Sequence, residues 1–372
     1  MKMKEISIFM VLLLFWFSLS AEVVNKDKPL KGQWDFKLKK VWEIDQAGDE
    51  LFGNLNTLLV SADGFIYVRD NKNDKTYIFN TEGKYLKFFA PLGEGPGEVK
   101  HNMDHYLAGD TFIIADLDKL HFFKKDGSFI KSVRNMFFRR RPAFFINENE
   151  FIAAPINLSN RPGQKDTITR VNPVTGKESV ISEFQVFTGG DIGYGQTGPR
   201  RLIIIVGLTP LMTVGSGSGK LYYGISSTYK INVTDLEGKP LYSFSVERKN
   251  KKIASDEKKQ LFSHLRGLSD DQRKELIDNF PDEPTYFSHI EEINGLTYVF
   301  VPDPLRTFPG QQIDIFSAEG KYLYKAEAKF DKGLRPRSLS IEGNYLYALL
   351  EDEDGELRIA KYQITLPGMA GK

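Results

Sequence analysis

Asp63-Gly64-Phe65-Ile66-Tyr67-Val68 reads as a tight turn running into an apolar strand, and the elements after it recur along the chain. Tyr77-Ile78-Phe79 is a second strand, Thr81-Glu82-Gly83-Lys84 a second turn, and Tyr85-Leu86-Lys87-Phe88-Phe89 a closing strand. The first element returns as Gly109-Asp110-Thr111-Phe112-Ile113-Ile114, Asn149-Glu150-Phe151-Ile152-Ala153 and Gly219-Lys220-Leu221-Tyr222-Tyr223. It returns twice more, as Gly295-Leu296-Thr297-Tyr298-Val299-Phe300 and Gly343-Asn344-Tyr345-Leu346-Tyr347-Ala348, making six copies. The second turn recurs as Asp126-Gly127-Ser128, Thr175-Gly176-Lys177, Glu237-Gly238-Lys239 and Glu319-Gly320-Lys321, and is missing from the sixth unit. Glycine belongs in such turns because they need φ > 0, which costs it nothing.

Six units of three or four strands, most about 40 to 50 residues long, fit the blades of a propeller. The chain is therefore expected to be all-β, a six-bladed β-propeller over 36–366, with a short C-terminal tail at 367–372. A two-sheet sandwich would also accept short strands at regular spacing. The unit count, the shared turn grammar and one unpaired strand favour the ring. That strand, Phe36-Lys37-Leu38-Lys39-Lys40-Val41-Trp42-Glu43-Ile44, is predicted to complete the last blade from the N-terminal end, leaving no open seam. Residues 22–35 ahead of it read as an N-terminal linker. One stretch breaks the β pattern. Ser255-Asp256-Glu257-Lys258 and Ser269-Asp270-Asp271-Gln272 look like two helix starts, and Pro281 and Pro284 end the run. A two-helix insertion over 255–284, between blades four and five, is predicted, with packing as its first role and a lid as its second.

The first 21 residues read as a signal peptide. Lys2 and Lys4 precede an apolar run from Ile6 to Leu19, and small residues at Ser18, Ser20 and Ala21 offer a cleavage site. The run is shorter than the roughly 20 apolar residues that span a bilayer, so cleavage is preferred to a retained anchor, and no stable membrane span is expected afterwards. The mature protein is then periplasmic or secreted. With no Cys in the chain, disulfides, thiolate metal sites and a lipid-modified Cys are excluded, and the fold rests on its core. The chain has 28 Phe and 16 Tyr, which suits a large β core. Acids and bases nearly cancel, 49 against 50, which gives no reason to expect nucleic acid as a partner.

Leu92-Gly93-Glu94-Gly95-Pro96-Gly97-Glu98 joins the first unit to the second. This G-x-G-P-G-E run, followed by a strand and a D-G-type turn, resembles the linkers of the NHL-repeat-like six-bladed β-propeller family. The full motif occurs once, and the looser strand and turn grammar covers about 300 residues. The resemblance implies the architecture. Its members include binding scaffolds, sugar-lactone hydrolases and a peptide-amide lyase, so it does not select an activity. Without a Lys-Ser/Thr pair and a following helix, the glycines form a turn and not a phosphate cradle.

In a propeller the loops leading into each innermost strand share a face with those joining the second and third strands, and ligands bind there, at the channel mouth. Three of the six lead-in loops carry arginine: Arg139, Arg140 and Arg141; Arg200 and Arg201; Arg335 and Arg337. Forked guanidinium groups take carboxylates and phosphates in bidentate fashion, while inter-blade ion pairing is the plainer role. Asp104 stands at the same mouth, with Glu94, Glu98 and Asp116 near it. His101 and His289 occupy matching places in the second and fifth units and are candidate ligands for a divalent metal; no other cofactor is expected. His105 follows His101 by four, a spacing that separates them by ~13 Å on a strand, so the two would not share one ion. Two long loops, Asn157 to Asp166 and Pro302 to Gln312, are expected to shape the mouth. The leading expectation is a non-catalytic binding propeller for a peptide, an acidic glycan or an envelope protein. The alternative is a metal-dependent lyase or hydrolase in the channel, drawing on His101, His289 and Arg141.

Overall fold

A computed structural model of the chain describes residues 21–100, 104–116, 118–134, 140–155, 165–185, 212–263, 269–279, 282–304 and 310–368. Residues 1–20, nearly all of the expected signal peptide, therefore lie outside the described residues. The chain forms a six-bladed β-propeller. Blade 1 holds Leu55–Val60, Ile66–Asp70, Lys75–Phe79 and Tyr85–Phe89, each strand antiparallel to the next. Blades 2, 3, 4 and 5 repeat this order, with innermost strands Asp104–Ala108, Arg140–Asn147, Met212–Gly217 and His289–Ile293. Blade 6 takes Arg335–Glu342, Tyr345–Glu351 and Leu357–Gln363 from the C-terminal end and Lys39–Ile44 as its outer strand.

The middle strands explain the apolar runs in the sequence. Thr111–Ala115 and Ile66–Asp70 are buried at every position, because each sheet packs a neighbour on both faces. Strict alternation would leave one face polar and is not what these strands show. The core accordingly falls into clusters between blades. Tyr77, Leu349 and Ile359 join blades 6 and 1; Tyr298, Ile341 and Leu346 join blades 5 and 6; Tyr229, Phe244 and Phe316 join blades 4 and 5.

Turn glycines serve close approach as well as φ. A Cβ on Gly83 would lie 3.0 Å from the Trp42 indole, and one on Gly127 2.9 Å from the Phe89 ring. In both cases an aromatic side chain on the outer strand of one blade seats on the turn of the next. Trp42 obeys the rule although its strand comes from the opposite end of the chain. Its Nε1 also donates to the Thr81 carbonyl at 3.1 Å.

The stretch expected as a linker, 22–35, is largely taken up by strands. Ala21–Lys26 adds a fifth strand, parallel, to the outer edge of blade 4. Gln33–Asp35 does the same for blade 5. The N-terminal chain is thus a strap laid across blades 4, 5 and 6 in turn. Asn25 bridges the first two, its Nδ2 donating to the Ser245 and Gly320 carbonyls and its Oδ1 accepting from the Tyr322 N–H. Edge coverage satisfies backbone groups that would otherwise face solvent.

Helices α1 (Ser255–Ser263) and α2 (Asp270–Asn279) lie on the connection from blade 4 to blade 5. Glu257 reaches back to the Ala254 N–H at 2.7 Å, a helix-start bond of the capping-box kind. Lys258 pairs with Asp282 at 2.7 Å, tying α1 to the segment that follows α2, and Phe262 is buried. Among the described residues no helix is long and apolar enough to cross a membrane.

Candidate functional site at the channel mouth

Two irregularities in the inner strands build the site. In blade 6, Pro336 faces Leu350 and Ser338 faces Leu349, so Arg337 is an extra residue in a β-bulge. Pro336 has no N–H to give to the ladder, which favours the break at this point. Blade 1 does the same one position from its start: Leu55 faces Asp70 and Thr57 faces Arg69, which leaves Asn56 as the extra residue. A bulge re-aims side chains, and here both extra residues line one cleft.

That cleft lies at the inner edges of blades 5, 6 and 1. Its volume is about 460 Å³, within the usual range for small-ligand sites. Blade 1 supplies Asn56, Thr57 and Leu59; blade 5 supplies His289, Glu291 and Gln311; blade 6 supplies Arg337 and Ser338. A side pocket of about 230 Å³ shares Gln311 and Arg337 and adds Asp303, Arg335 and Glu351. His289 and Phe300 face each other across the blade 5 ladder, their rings 5.1 Å apart. The His289 Nε2 lies 3.7 Å from Glu291, and its side chain is 53% exposed, so the imidazole forms an accessible shelf with the buried Phe300 beneath it.

Charge in the cleft is uneven. Arg337 approaches the Glu351 carboxylate only to 3.9 Å, beyond hydrogen-bond range. Further down blade 6, burial and the neighbouring Glu291 charge push the Glu342 carboxyl up from its ordinary value.

The other sequence candidates are scattered round the mouth. Asp104 opens the inner strand of blade 2, half-buried and opposite Ala115. Arg140 and Arg141 open that of blade 3, opposite Pro155 and Ala154. Arg139, Arg200, Arg201 and His101 lie outside the described residues, as do residues 157–164 of the first long loop and 305–309 of the second. Among the described residues no group of three or more His, Asp or Glu side chains is arranged to hold a metal.

Several candidates have structural work instead. Glu98 accepts the Gly95 N–H at 2.8 Å inside the glycine-rich linker, as a turn requires. Glu94 pairs with Lys100 at 2.6 Å. Asp116 is buried, accepts the Lys100 N–H at 3.1 Å and lies 3.7 Å from His121. His105 is buried beside Phe112, and burial, helped by the Arg69 charge, pushes its pKa down to about 3. Asn56 and Gln311 were not singled out by sequence reasoning. The proline inside an inner strand, Arg335-Pro336-Arg337, was a readable signal for the blade 6 bulge; Asn56 had none.

A larger hollow of about 870 Å³ runs along the outer rim, under the strap strand Gln33–Asp35. Its rim mixes Lys37, Lys325 and Lys329 with Asp35 and Glu327, and none of its lining comes from the bulged inner strands. The mouth cleft is the better site because the irregular inner strands of two blades and Arg337 meet there, with Arg335 in the adjoining side pocket.

Fold and cleft together define a six-bladed propeller with an open cleft of mixed polar and apolar lining at one end of its channel. Residues 47–137 match the model of the DUF5128 family, described as a 6-bladed beta-propeller. Among solved structures the chain is similar to a candidate exported protein of Bacteroides fragilis, with a TM-score of 0.54 and 15% identity, over 93% of this chain and 100% of that one. It is also similar to a DUF4221 family member of Bacteroides vulgatus, with a TM-score of 0.53 and 13% identity, over 88% and 98% of the two chains. At such identities the likeness is one of fold. Comparison with curated proteins finds no match.

Proposed function

We propose that the protein is an exported binding propeller that holds its ligand, without chemistry, in the mouth cleft between blades 5, 6 and 1. The observation that carries this reading is the bulge that leaves Arg337 outside the backbone ladder and on the cleft wall. A bulge at this place costs ladder pairing, and a recognition side chain is a reason to keep it. Export is supported by the basic start, apolar run and small residues of the first 21 positions. A periplasmic or secreted location goes with it, and the partner is a peptide, an acidic glycan or an envelope protein.

Surface-immobilised mature protein should retain members of a mixed panel of peptides and glycans, and Arg337→Ala with Asn56→Ala should weaken whatever is retained. Retention that is indifferent to both substitutions would place recognition elsewhere. Fractionation of cells making the full chain tests export: a product found in the cytoplasm at full length would end that part of the reading.

A further inference from the structure

We infer that the mouth cleft is built for an anionic sugar unit, a hydroxylated ring carrying a carboxylate or a sulfate. The inference rests on the binding reading and names its ligand class.

The anion is assigned by two arginines. Among the described residues the Arg335 side chain makes no hydrogen bond or ion pair, and Glu351, the acid nearest the Arg337 guanidinium, stays at 3.9 Å. Structural arginines in this same protein look different. Arg248 is bonded to Asp314 at 2.7 Å and to Asp27 at 2.8 Å, and Arg170 to Glu150 at 2.7 Å and Glu237 at 2.9 Å. Two guanidinium forks on one short stretch, both without hydrogen-bonded acceptors, suit an oxyanion that can be gripped in bidentate fashion.

The sugar is assigned by the rest of the lining. Neutral hydrogen-bonding side chains, Asn56, Thr57, Gln311, Ser338 and Ser340, alternate there with apolar ones such as Leu59 and Leu339. Gln311 already spends its amide nitrogen on the Val301 and Gln312 carbonyls, both at 2.8 Å, so its oxygen remains to accept. Glu291 is a second acceptor. A ring bearing several hydroxyls needs this mixture of donors and acceptors at short range. The exposed His289 ring on its Phe300 support offers a flat surface for the C–H face of a sugar. An extended acidic peptide would instead draw on a free strand edge and a longer groove than about 460 Å³ provides.

Calorimetric titration of the mature protein with trigalacturonate, a sulfated dextran oligosaccharide, maltotriose and triglutamate tests the assignment. One or both anionic sugars should bind, and maltotriose should bind at least about tenfold more weakly. Preference between the two anionic sugars identifies carboxylate or sulfate as the group gripped. Arg335→Gln combined with Arg337→Gln should cost the anionic sugar at least about tenfold while leaving the melting temperature within a degree or so of the parent's, since neither side chain is hydrogen-bonded in the fold. Triglutamate binding as tightly as trigalacturonate would overturn the sugar and leave the binding reading standing. Maltotriose binding equally well, or an anionic sugar insensitive to the double substitution, would overturn the role of the arginines. No binding by any of the four would overturn the assignment, and the broader panel would then decide separately whether the cleft binds anything.

Discussion

The Arg248 guanidinium meets the Asp314 carboxylate at 2.7 Å, and Asp314 has no exposed side-chain surface. Arg248 comes just after the outer strand of blade 4, while Asp314 lies on the third strand of blade 5. Tyr229 and Tyr322 each donate a phenolic hydrogen to the same carboxylate at 2.6 Å. Burial and the Asp314 charge push both phenols above the ordinary tyrosine range, which keeps them as donors. The remaining face of Arg248 bonds Asp27 of the strap at 2.8 Å. One buried ion pair thus ties two blades and the N-terminal chain together.

Removing one partner of such a pair strands the other in a low-dielectric site. Arg248→Met should therefore cost about 3–5 kcal/mol, far more than loss of a surface pair. Asp27→Ala removes only an exposed end of the same cluster and should cost less than about 1 kcal/mol. Urea unfolding of the two variants checks the ranking, and equal losses would show that the buried pair has no special weight.

The strap predicts a second contrast. Asn25 makes three hydrogen bonds that bridge blades 4 and 5. Asn25→Ala should cost about 1–3 kcal/mol, since it also leaves backbone groups unpaired. Val24, on the neighbouring position, is 58% exposed, and Val24→Ala should fall within about 0.5 kcal/mol of the parent. A shared small effect would mean that the strap adheres without bracing the ring.

Ring closure predicts a third. Trp42 seats on Gly83, whose φ is +78°. Gly83→Ala strains the backbone and crowds the indole, for a total of about 1–3 kcal/mol. Trp42→Ala removes the ring contact altogether and should cost about 2–4 kcal/mol, since the indole is only half-buried. Hydrogen exchange should then quicken in blades 6 and 1 and stay unchanged in the strands of blade 3. Uniform quickening would show that closure is no weaker than any other seam.

The legible part of the fold is the part that repeats. Turn glycines such as Gly83 and Gly127 and apolar middle strands such as Thr111–Ala115 recur in every full unit because each blade meets the same two neighbours. That regularity exposed the ring. The strap at 21–35 does not repeat, and Ala-Glu-Val-Val-Asn-Lys is too short and too polar to announce a strand; it becomes one because blade 4 offers an open edge. At the mouth, arginines near inner-strand starts were visible as a pattern, but which of them go unpaired depends on side-chain geometry. Arg335 and Arg337 could be told from the tightly paired Arg170 only in three dimensions. His105 looked like a mouth residue and proved to be core, because residues on an inner strand also point between blades.

That buried imidazole gives the fourth prediction. His105 has a folded-state pKa of about 3, against roughly 6.5 in an unfolded chain. The unfolded state therefore takes up the proton first as pH falls. Stability is unaffected by this group above about pH 6.5 and declines below it, by up to about 1.4 kcal/mol per pH unit, until the folded value is reached. Other groups titrate in the same range, with His121 also held low by burial. The test is consequently a difference between proteins. His105→Phe keeps a flat ring beside Phe112, removes the titrating group and should make acid-side stability shallower by about one proton between pH 6 and pH 4. Parallel curves of unfolding free energy against pH for parent and variant would show that the imidazole is hydrated, or already protonated, in the native ring.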